Sequence, residues 1–370
     1  MRIGVIFHRP EIIDLGWARK VLKILDMLGE VDAKLCGTMG TLAVLDNYMD
    51  DRIKCDFRPT IECLVEMIKK CDSIIIATYS ENALKSHAFC WHLVKRLLSP
   101  RMPIIEVEAK NGVVIDWCIK SGLSANLAKE LGFRMISPPD FGETSWIRNG
   151  IKHRKILAVD LGDFVLVNGI VIGRAISKEV ILKEYEGKIV GGEGLEFKNH
   201  GLTKLDEMGK LDLFKAKLDT TNLLRRTRFK RRYIEPISKG NLIAFIEHSV
   251  AGYSGANIYE EIKKGISGAI TIGDDTTAIA GDILSRFKIP VIGIVDGDRD
   301  GLLKNTLLAE GSIILQVKSD DQLGEMIHNK IFKGERHLKL KFEEMKDKVI
   351  KLATKSDQLV RKGIRIASNS

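Results

Sequence analysis

Short apolar segments alternate with amphipathic segments at both ends of the chain, and this alternation restricts the fold more than any other feature of the sequence. Near the N-terminus, apolar runs at Ile3–Phe7, Ile74–Ala77 and Ile104–Val107 are separated by segments with helical periodicity. Strands that alternate with helices of this length form parallel sheets with crossover helices. We therefore expect residues 1–145 to form a Rossmann-like α/β domain.

The same alternation returns after residue 240. Leu242–Ile246, Ala269–Ile272 and Pro290–Val295 are predicted strands, and amphipathic segments separate them. Right-handed crossovers place such strands in one parallel sheet. We therefore predict a second Rossmann-like α/β domain over residues 241–330.

The chain between and after these domains has a different pattern. Asn168-Gly169 lies between two β-rich runs and is a strong hairpin signal, so we expect residues 152–205 to form a small β-rich module. Residues 206–240 are predicted to be a basic linker. Residues 335–365 are predicted to form one amphipathic helix, whose apolar face would dock onto the protein or join two copies in a homo-oligomer.

Composition and charge narrow the class of protein. The 370 residues are 45% hydrophobic and 29% charged, which is ordinary for a globular protein. The sequence lacks the run of about 18 apolar residues that a membrane helix needs, and its start lacks the apolar core of a signal peptide. We therefore expect a cytoplasmic protein without a membrane partner. None of the six cysteines forms a Cys-x-x-Cys pair, which favours reduced structural thiols.

Acidic residues gather after the strands of the second predicted domain. Glu247 follows its first strand, and Asp296, Asp298 and Asp300 follow its third. Since ligands bind at the carboxyl ends of parallel strands, these carboxylates are expected to form one site. A hard cation such as Mg²⁺ binds carboxylates in this arrangement and stabilises charge on a phosphoryl oxygen. The alternative is a solvated Asp-Gly turn after a buried strand.

The order of these residues resembles the topoisomerase–primase (Toprim) domain over residues 241–320. In that fold a glutamate after the first strand and an Asp-x-Asp after the third hold Mg²⁺ for phosphoryl transfer on nucleic acid. The resemblance implies that Glu247, Asp296 and Asp298 are catalytic and bind Mg²⁺, and the spacing of the carboxylates adds Asp300 to the metal ligands. His248-Ser249-Val250 stands where that family has an acidic and glycine-rich continuation.

The whole chain is also similar to an uncharacterised family of methanogenic archaea, the domain of unknown function 2117. The similarity lies in Pro10–Asp14, Gly37–Gly40, Val167–Arg174 and Gly273–Asp282. It implies an archaeal cytosolic protein and brings no mechanism with it.

Two glycine-containing loops lie between a strand and a helix, where free backbone N–H groups bind anions. One loop belongs to each predicted α/β domain, and a histidine follows the first strand of the chain. The candidate ligand-binding residues at these positions are Gly273, Asp274, Asp275, Thr276, Thr277, Gly37, Thr38, Gly40 and His8. Arg9, Glu11 and the segment Thr78–Asn82 would line the same crevice as His8. The structural alternatives are a well-capped helix, a tight turn and a core histidine.

A basic run lies in the predicted linker. Six of the eight residues from 225 to 232 are basic, namely Arg225, Arg226, Arg228, Lys230, Arg231 and Arg232. Clustered cations beside Phe229 and Tyr233 suit a phosphate backbone with a stacked base, so nucleic acid is a predicted partner. A solvated linker explains the run equally well, and so do ion pairs with carboxylates elsewhere in the protein.

Two classes of function remain. The first is Mg²⁺-dependent phosphoryl transfer or nucleic-acid processing at the acidic strand ends. The second is binding of a nucleotide or phosphorylated metabolite without catalysis, and the net charge of +9 favours anionic ligands in both. The sequence has neither the Gly-x-Gly-x-x-Gly fingerprint of dinucleotide oxidoreductases nor a P-loop. Whether the protein is an enzyme is left open at this point.

Overall fold

The computed structural model describes residues 1–97, 100–221, 225, 227, 230–235, 240–247, 255–297, 303 and 306–362. The chain divides into two compact units, Met1–Phe229 (unit 1) and Lys230–Ser370 (unit 2). Within the described ranges, no helix is both long and apolar enough to cross a membrane.

The first part of unit 1 is built on a seven-stranded sheet. Its elements are β1 (Arg2–His8), α1 (Glu11–Asp14), α2 (Trp17–Asp26), β2 (Glu30–Cys36), α3 (Thr38–Asp46), β3 (Lys54–Asp56), α4 (Thr60–Ile68), β4 (Ser73–Thr78), α5 (Ala83–Arg96), β5 (Ile104–Glu108), β6 (Val113–Asp116), α6 (Gly122–Leu131) and β7 (Arg134–Ile136). The strand order is β3-β2-β1-β4-β5-β6-β7. The first five strands in this order are parallel, and β6 is antiparallel to β5.

Helices cover both faces of this sheet. Val5 and Phe7 of β1 pack in one core with α1, α2, α3 and α6, whereas Ile6 packs in a second core with α4 and α5. The chain winds outward from β1 through β2 to β3, and then outward in the opposite direction from β4. The switch point of the sheet therefore lies between β1 and β4, as in doubly wound folds.

A β-sandwich forms the second part of unit 1. Its elements are β8 (Ser145–Arg148), β9 (Ile151–Ile156), β10 (Phe164–Val167), β11 (Ile170–Ala175), β12 (Val180–Tyr185), β13 (Lys188–Glu193), β14 (Leu195–Phe197), α7 (Asn199–Glu207) and β15 (Leu218–Thr221). They form two four-stranded sheets, β14-β11-β10-β15 and β13-β12-β9-β8. Asn168 and Gly169 both have positive φ and join β10 to β11, as the hairpin signal predicted.

The β-rich part is longer than the range 152–205 expected from the sequence. It begins with β8, and β15 of the predicted linker pairs with β10. The apolar residues that the two sheets share, among them Val165, Leu182 and Leu213, form one core. Part of the predicted linker is therefore a structural strand of unit 1.

Unit 2 contains a six-stranded sheet. Its elements are β16 (Leu242–Glu247), α8 (Gly255–Lys263), β17 (Gly268–Ile272), α9 (Asp274–Ser285), β18 (Val291–Val295), β19 (Ile313–Val317), α10 (Asp320–Lys330), β20 (His337–Lys339), α11 (Phe342–Lys355) and β21 (Leu359–Lys362). The strand order is β20-β16-β17-β18-β19-β21. The four central strands are parallel and the two edge strands are antiparallel to their neighbours. The predicted α/β class with two parallel-sheet domains is confirmed.

The C-terminal helix is shorter than the range 335–365 predicted from the sequence. Only Phe342–Lys355 is helical, and the segments on both sides are β20 and β21, which close the two edges of the sheet. Short apolar segments fit a strand as well as a helix, so periodicity alone did not separate them. The apolar face of α11, with Met345, Val349 and Ala353, is buried in the core of unit 2. This apolar face therefore docks within unit 2, which is one of its two predicted uses, and a homo-oligomer stays a prediction.

Candidate functional site

The carboxyl ends of β1 and β4 form the edge at which an open α/β sheet binds ligands. His8 ends β1 and pairs in register with Thr78, which ends β4. The next helix after β1 is α1 and the next after β4 is α5, and these two helices lie on opposite faces of the sheet. The residues after the two strands therefore line a crevice at the switch point, which we call the switch-point crevice.

Four side-chain atoms around the switch-point crevice are buried without a hydrogen-bond partner in the described part of the protein. They are Thr78 Oγ1, Ser80 Oγ, Ser86 Oγ and Glu11 Oε2. Thr78 is 0% exposed, and Ser80 and Ser86 are each 2% exposed. Buried polar groups in folded proteins are nearly always hydrogen-bonded, so such a group of unpartnered atoms at a sheet edge indicates a ligand or ordered water.

His8 is held as a neutral ring at this edge. It stacks on Phe89 of α5 with the ring centroids 3.7 Å apart. Burial, followed by the positive charges of Arg9 and Lys217, lowers the pKa of His8 to about 3. The imidazole is therefore uncharged at neutral pH and can donate one hydrogen bond and accept another. Arg9, the next residue, has a φ of 76°, which is uncommon outside glycine.

A buried carboxylate fixes the loop that follows β4. Glu108 of β5 is 0% exposed and accepts hydrogen bonds from the backbone N–H groups of Ser80, at 3.1 Å, and Asn111, at 2.7 Å. The Asn111 side chain donates a further bond to it at 3.0 Å. A carboxylate with several N–H donors tolerates burial because its charge is compensated. The loop that carries Ser80 is thereby held in one position.

A buried lysine joins the start of α5 to the β-sandwich. The Lys85 ammonium binds the carboxylates of Asp160 and Asp163. The side chains of Lys85 and Asp163 are 5% and 0% exposed. Breaking a buried pair leaves an uncompensated charge, so this pair holds the first turn of α5 against the sandwich.

Arg225 forms the corresponding contact on the other side of the switch-point crevice. Its guanidinium binds Asp14 at the end of α1 and Asp46 at the end of α3, with Nε 3.1 Å from Asp14 Oδ2. The Thr227 hydroxyl donates to the same Asp14 carboxylate, and so does Asn47 Nδ2, at 2.9 Å. All three charged side chains are at most 1% exposed. We call this group the Arg225 clamp.

These contacts bear on the predicted basic run. The Arg225 side chain is 1% exposed within its ion pairs, and Arg231 in unit 2 binds Asp282 Oδ1 at 2.5 Å. Both are the ion pairs that the structural alternative predicted. Lys230 is exposed and Arg232 is partly buried, whereas Arg226 and Arg228 lie outside the described residues. Contact of the basic run with nucleic acid stays a prediction.

The backbone conformation and close packing at the loop after β2 require glycine at two positions. Gly37 has a φ of 110° and precedes α3, a conformation that other residues adopt only with strain. A Cβ on Gly40 would lie 2.3 Å from Leu35 Cδ2, so glycine allows α3 to approach β2. The Thr38 side chain lies outside the described residues. The anion site predicted for Gly37, Thr38 and Gly40 stays a prediction.

The loop after β17 in unit 2 has similar geometry. Gly273, with a φ of 95°, precedes α9. Asp274 and Asp275 lie in the first turn of α9, where carboxylates interact favourably with the helix N-terminus. Thr276 is 2% exposed, and the buried Thr277 hydroxyl is 2.9 Å from that of Thr271. Thr277 therefore has a structural partner inside the sheet.

The acidic residues of unit 2 are only partly described. Glu247 pairs with Ile272 and Ile272 with Ile294, so these side chains form one row across three strands. Asp296 comes two residues after Ile294, and both it and Glu247 are exposed. Asp298 and Asp300 lie outside the described residues. In the described part of the chain no three His, Cys, Asp or Glu side chains could hold a metal ion together.

Several residues of the switch-point crevice were missed in the sequence. Glu108 left a signal, since it and Glu106 interrupt the apolar run Ile104–Glu108, and charged residues in a buried strand predict buried partners. The sequence contains no such signal for Lys85, because a lysine in the first turn of a helix is common. Its two aspartates are more than 70 residues away, beyond the reach of periodicity arguments.

The Arg225 clamp leads to a stability prediction. Arg225→Ala leaves Asp14 and Asp46 buried without their cation, so we expect the free energy of unfolding of unit 1 to fall by about 3–5 kcal/mol. Urea unfolding followed by tryptophan fluorescence measures this, because all four tryptophans of the chain are in unit 1. Lys230→Ala, an exposed residue of the same run, is the control. A loss below about 0.5 kcal/mol, typical of surface substitutions, would contradict the clamp.

His8 leads to a pH prediction. Between pH 6.5 and 3 the unfolded chain binds a proton on His8 that the folded chain does not, because the pKa of the folded group is about 3. The free energy of unfolding should therefore decrease as the pH falls through this window, with His8 contributing at most about 1.4 kcal/mol per pH unit. His8→Gln should reduce this slope, relative to the wild type, in urea titrations between pH 6.5 and 4.5. Equal slopes for His8→Gln and the wild type would mean that His8 titrates normally.

Comparison with known proteins places the chain in a family. A family model described as an uncharacterised protein conserved in archaea matches residues 5–335. An uncharacterised protein of Methanocaldococcus jannaschii is 37% identical over 363 residues, which cover 95% of this chain and 96% of that relative. The chain is therefore a member of the archaeal family known as the domain of unknown function 2117.

Proposed function

We propose that unit 1 binds a nucleotide or another phosphorylated metabolite in the switch-point crevice. The observation that carries this proposal is the group of four buried polar atoms without partners, on Thr78, Ser80, Ser86 and Glu11. Leaving even one such group unsatisfied costs about 1–3 kcal/mol, so four of them in one region favour a missing ligand over a packing defect.

The types of these atoms indicate the chemistry of the ligand. The three hydroxyls can donate or accept hydrogen bonds, but a carboxylate oxygen of Glu11 accepts only, so the ligand must supply a donor such as a sugar hydroxyl. Arg9 and Lys217 are close enough to His8 to lower its pKa, and their charges favour an anionic group such as phosphate. A ligand with both hydroxyls and phosphate matches this set.

The segments that line the switch-point crevice are held rigidly, which supports a binding site there. Glu108 holds the loop of Ser80, Lys85 holds the start of α5, and Arg225 holds the ends of α1 and α3. A site whose walls are fixed before the ligand arrives loses less conformational entropy on binding.

Removal of one hydroxyl tests this proposal. We expect ADP or ribose 5-phosphate to stabilise unit 1 by about 2.7 kcal/mol at a hundredfold excess over Kd. Thr78→Val keeps the shape and removes an unpartnered hydroxyl, so without ligand it should be as stable as the wild type or more so. The same variant should lose most of the stabilisation by ligand. Thermal unfolding followed by tryptophan fluorescence measures both effects.

Thr203→Val is the matched control, since the Thr203 hydroxyl donates a hydrogen bond within α7, to Asn199 O at 3.2 Å. It should respond to ligand as the wild type does. Inorganic phosphate alone shows how much of the effect comes from the anion. Absence of any shift with the phosphorylated ligands, or a Thr78→Val protein that unfolds more easily and binds normally, would contradict the proposal.

A second candidate function is Mg²⁺ binding by the acidic strand ends of unit 2, with the phosphoryl transfer that a Toprim-like site implies. It is supported by the exposure of Glu247 and Asp296 at the carboxyl ends of parallel strands. Mg²⁺ prefers one or two carboxylates and completes its shell with water and phosphate.

This second candidate predicts a cation-dependent stabilisation. Mg²⁺ or Mn²⁺ should raise the melting temperature of unit 2 in calorimetry, and Asp296→Asn and Asp298→Ala should each remove most of that rise because a ligand is lost. Asp347→Asn, an exposed carboxylate on α11, is the control. An equal rise in all four proteins would place any bound cation elsewhere.

A further inference from the structure

Two of the six cysteines meet between β2 and α4. Lys34 and Cys36 are two residues apart on β2 and face α4, while Cys63 and Glu66 are three residues apart on α4 and face β2. Lys34 Nζ binds Glu66 Oε2 at 3.3 Å. One step along the same interface, the Cys36 thiol lies beside the Cys63 thiol, and each shifts the pKa of the other. The packing register that forms the ion pair therefore also forms the thiol pair.

The neighbours of this pair make its two thiols unequal. Asp56 pairs with Cys36 in the register of β2 and β3, and its carboxylate is hydrogen-bonded to Cys63. Hydrogen bonds from Cys63 and the Thr60 hydroxyl lower the pKa of Cys36 against the effect of burial. The bond to Cys36, with burial, raises the pKa of Cys63. Cys36 is therefore the thiol of the pair whose pKa is lowered, which favours its reactive thiolate form.

We propose that Cys36 and Cys63 are a redox-active dithiol that closes to a disulfide by exchange with a low-molecular-weight disulfide. Cys36 is 9% exposed at the carboxyl end of β2, whereas Cys63 is 0% exposed, so an incoming disulfide reaches Cys36 first. This chemistry lies outside the proposed ligand-binding function and does not depend on it.

The exchange proceeds in two steps. The Cys36 thiolate attacks one sulfur of the small disulfide, which forms a mixed disulfide on Cys36 and expels one small thiolate. The Cys63 sulfur then attacks the Cys36 sulfur, forms the Cys36–Cys63 bond and expels the second small thiolate, which takes up the proton that Cys63 loses. Two electrons pass from the protein dithiol to the small disulfide, so the products are one protein disulfide and two small thiols.

Other roles for these cysteines fit the geometry less well. Cys55 is beside Leu35 in the β2–β3 register and packs on the opposite face of the sheet, with its thiol bonded to Thr41. Across the described residues, no three His, Cys, Asp or Glu side chains form a metal-binding group, which disfavours a metal site at the thiol pair. Cys55 is accordingly a matched control for the pair.

The test is peptide mapping after exchange. The reduced full-length protein is incubated with bis(2-hydroxyethyl) disulfide, its free thiols are alkylated in denaturant, and the peptides are identified by mass. The wild type and Cys55→Ser should each lose two free thiols and yield one Cys36–Cys63 linked peptide. Cys63→Ser should stop at the mixed disulfide on Cys36, and Cys36→Ser should keep its five thiols free.

Three results would overturn the proposal. They are a wild type that keeps all six thiols free, a cross-link that includes Cys55, and mixed-disulfide formation on Cys63 in the Cys36→Ser variant. Tryptophan fluorescence of each variant before oxidation shows that unit 1 is folded, so that lost reactivity is not mistaken for unfolding.

Discussion

Arg225 binds two buried carboxylates, and much of the arrangement at the carboxyl edge of the N-terminal sheet depends on this ion pair. Asp14 and Asp46 are the last residues of α1 and α3, the helices that follow β1 and β2. With side chains at most 1% exposed, the two carboxylates would repel each other strongly without a cation between them. The Arg225 guanidinium therefore fixes two helix ends beside the switch point. Along the chain, Arg225 lies 211 residues from Asp14 and 179 residues from Asp46.

Lys85 and Glu108 act in the same way on the opposite side of the switch-point crevice. Each is a buried charge whose partners come from a different element, and each holds a segment that carries an unpartnered hydroxyl. Removing charges from water is expensive unless their partners are complete, so these contacts are poor substitutes for an apolar core. Their effect is to position the segments that carry Ser80 and Ser86.

Periodicity was sufficient to predict the α/β class, the two parallel sheets and the hairpin at Asn168-Gly169, because each of these follows from local patterns. It failed after residue 335, where short apolar stretches fit strand and helix equally. It also predicted that His8 and Thr78–Asn82 would share one crevice, and in the register of β1 and β4 His8 lies beside Thr78. It could not predict which arginines of the basic run are buried, since Asp14, Asp46 and Asp282 are distant in sequence. Such pairings depend on tertiary packing, which a single sequence does not encode locally.

The central claim is that the switch-point crevice of unit 1 is a preformed ligand site with unfilled hydrogen-bonding capacity. A crystal structure that resolves ordered water, grown in the presence of ADP, tests it most directly. Our account predicts density for the nucleotide within hydrogen-bond distance of Thr78 Oγ1, Ser80 Oγ and a Glu11 carboxylate oxygen. If these atoms were instead bonded to other protein atoms in a closed, ligand-free edge, the account would be contradicted.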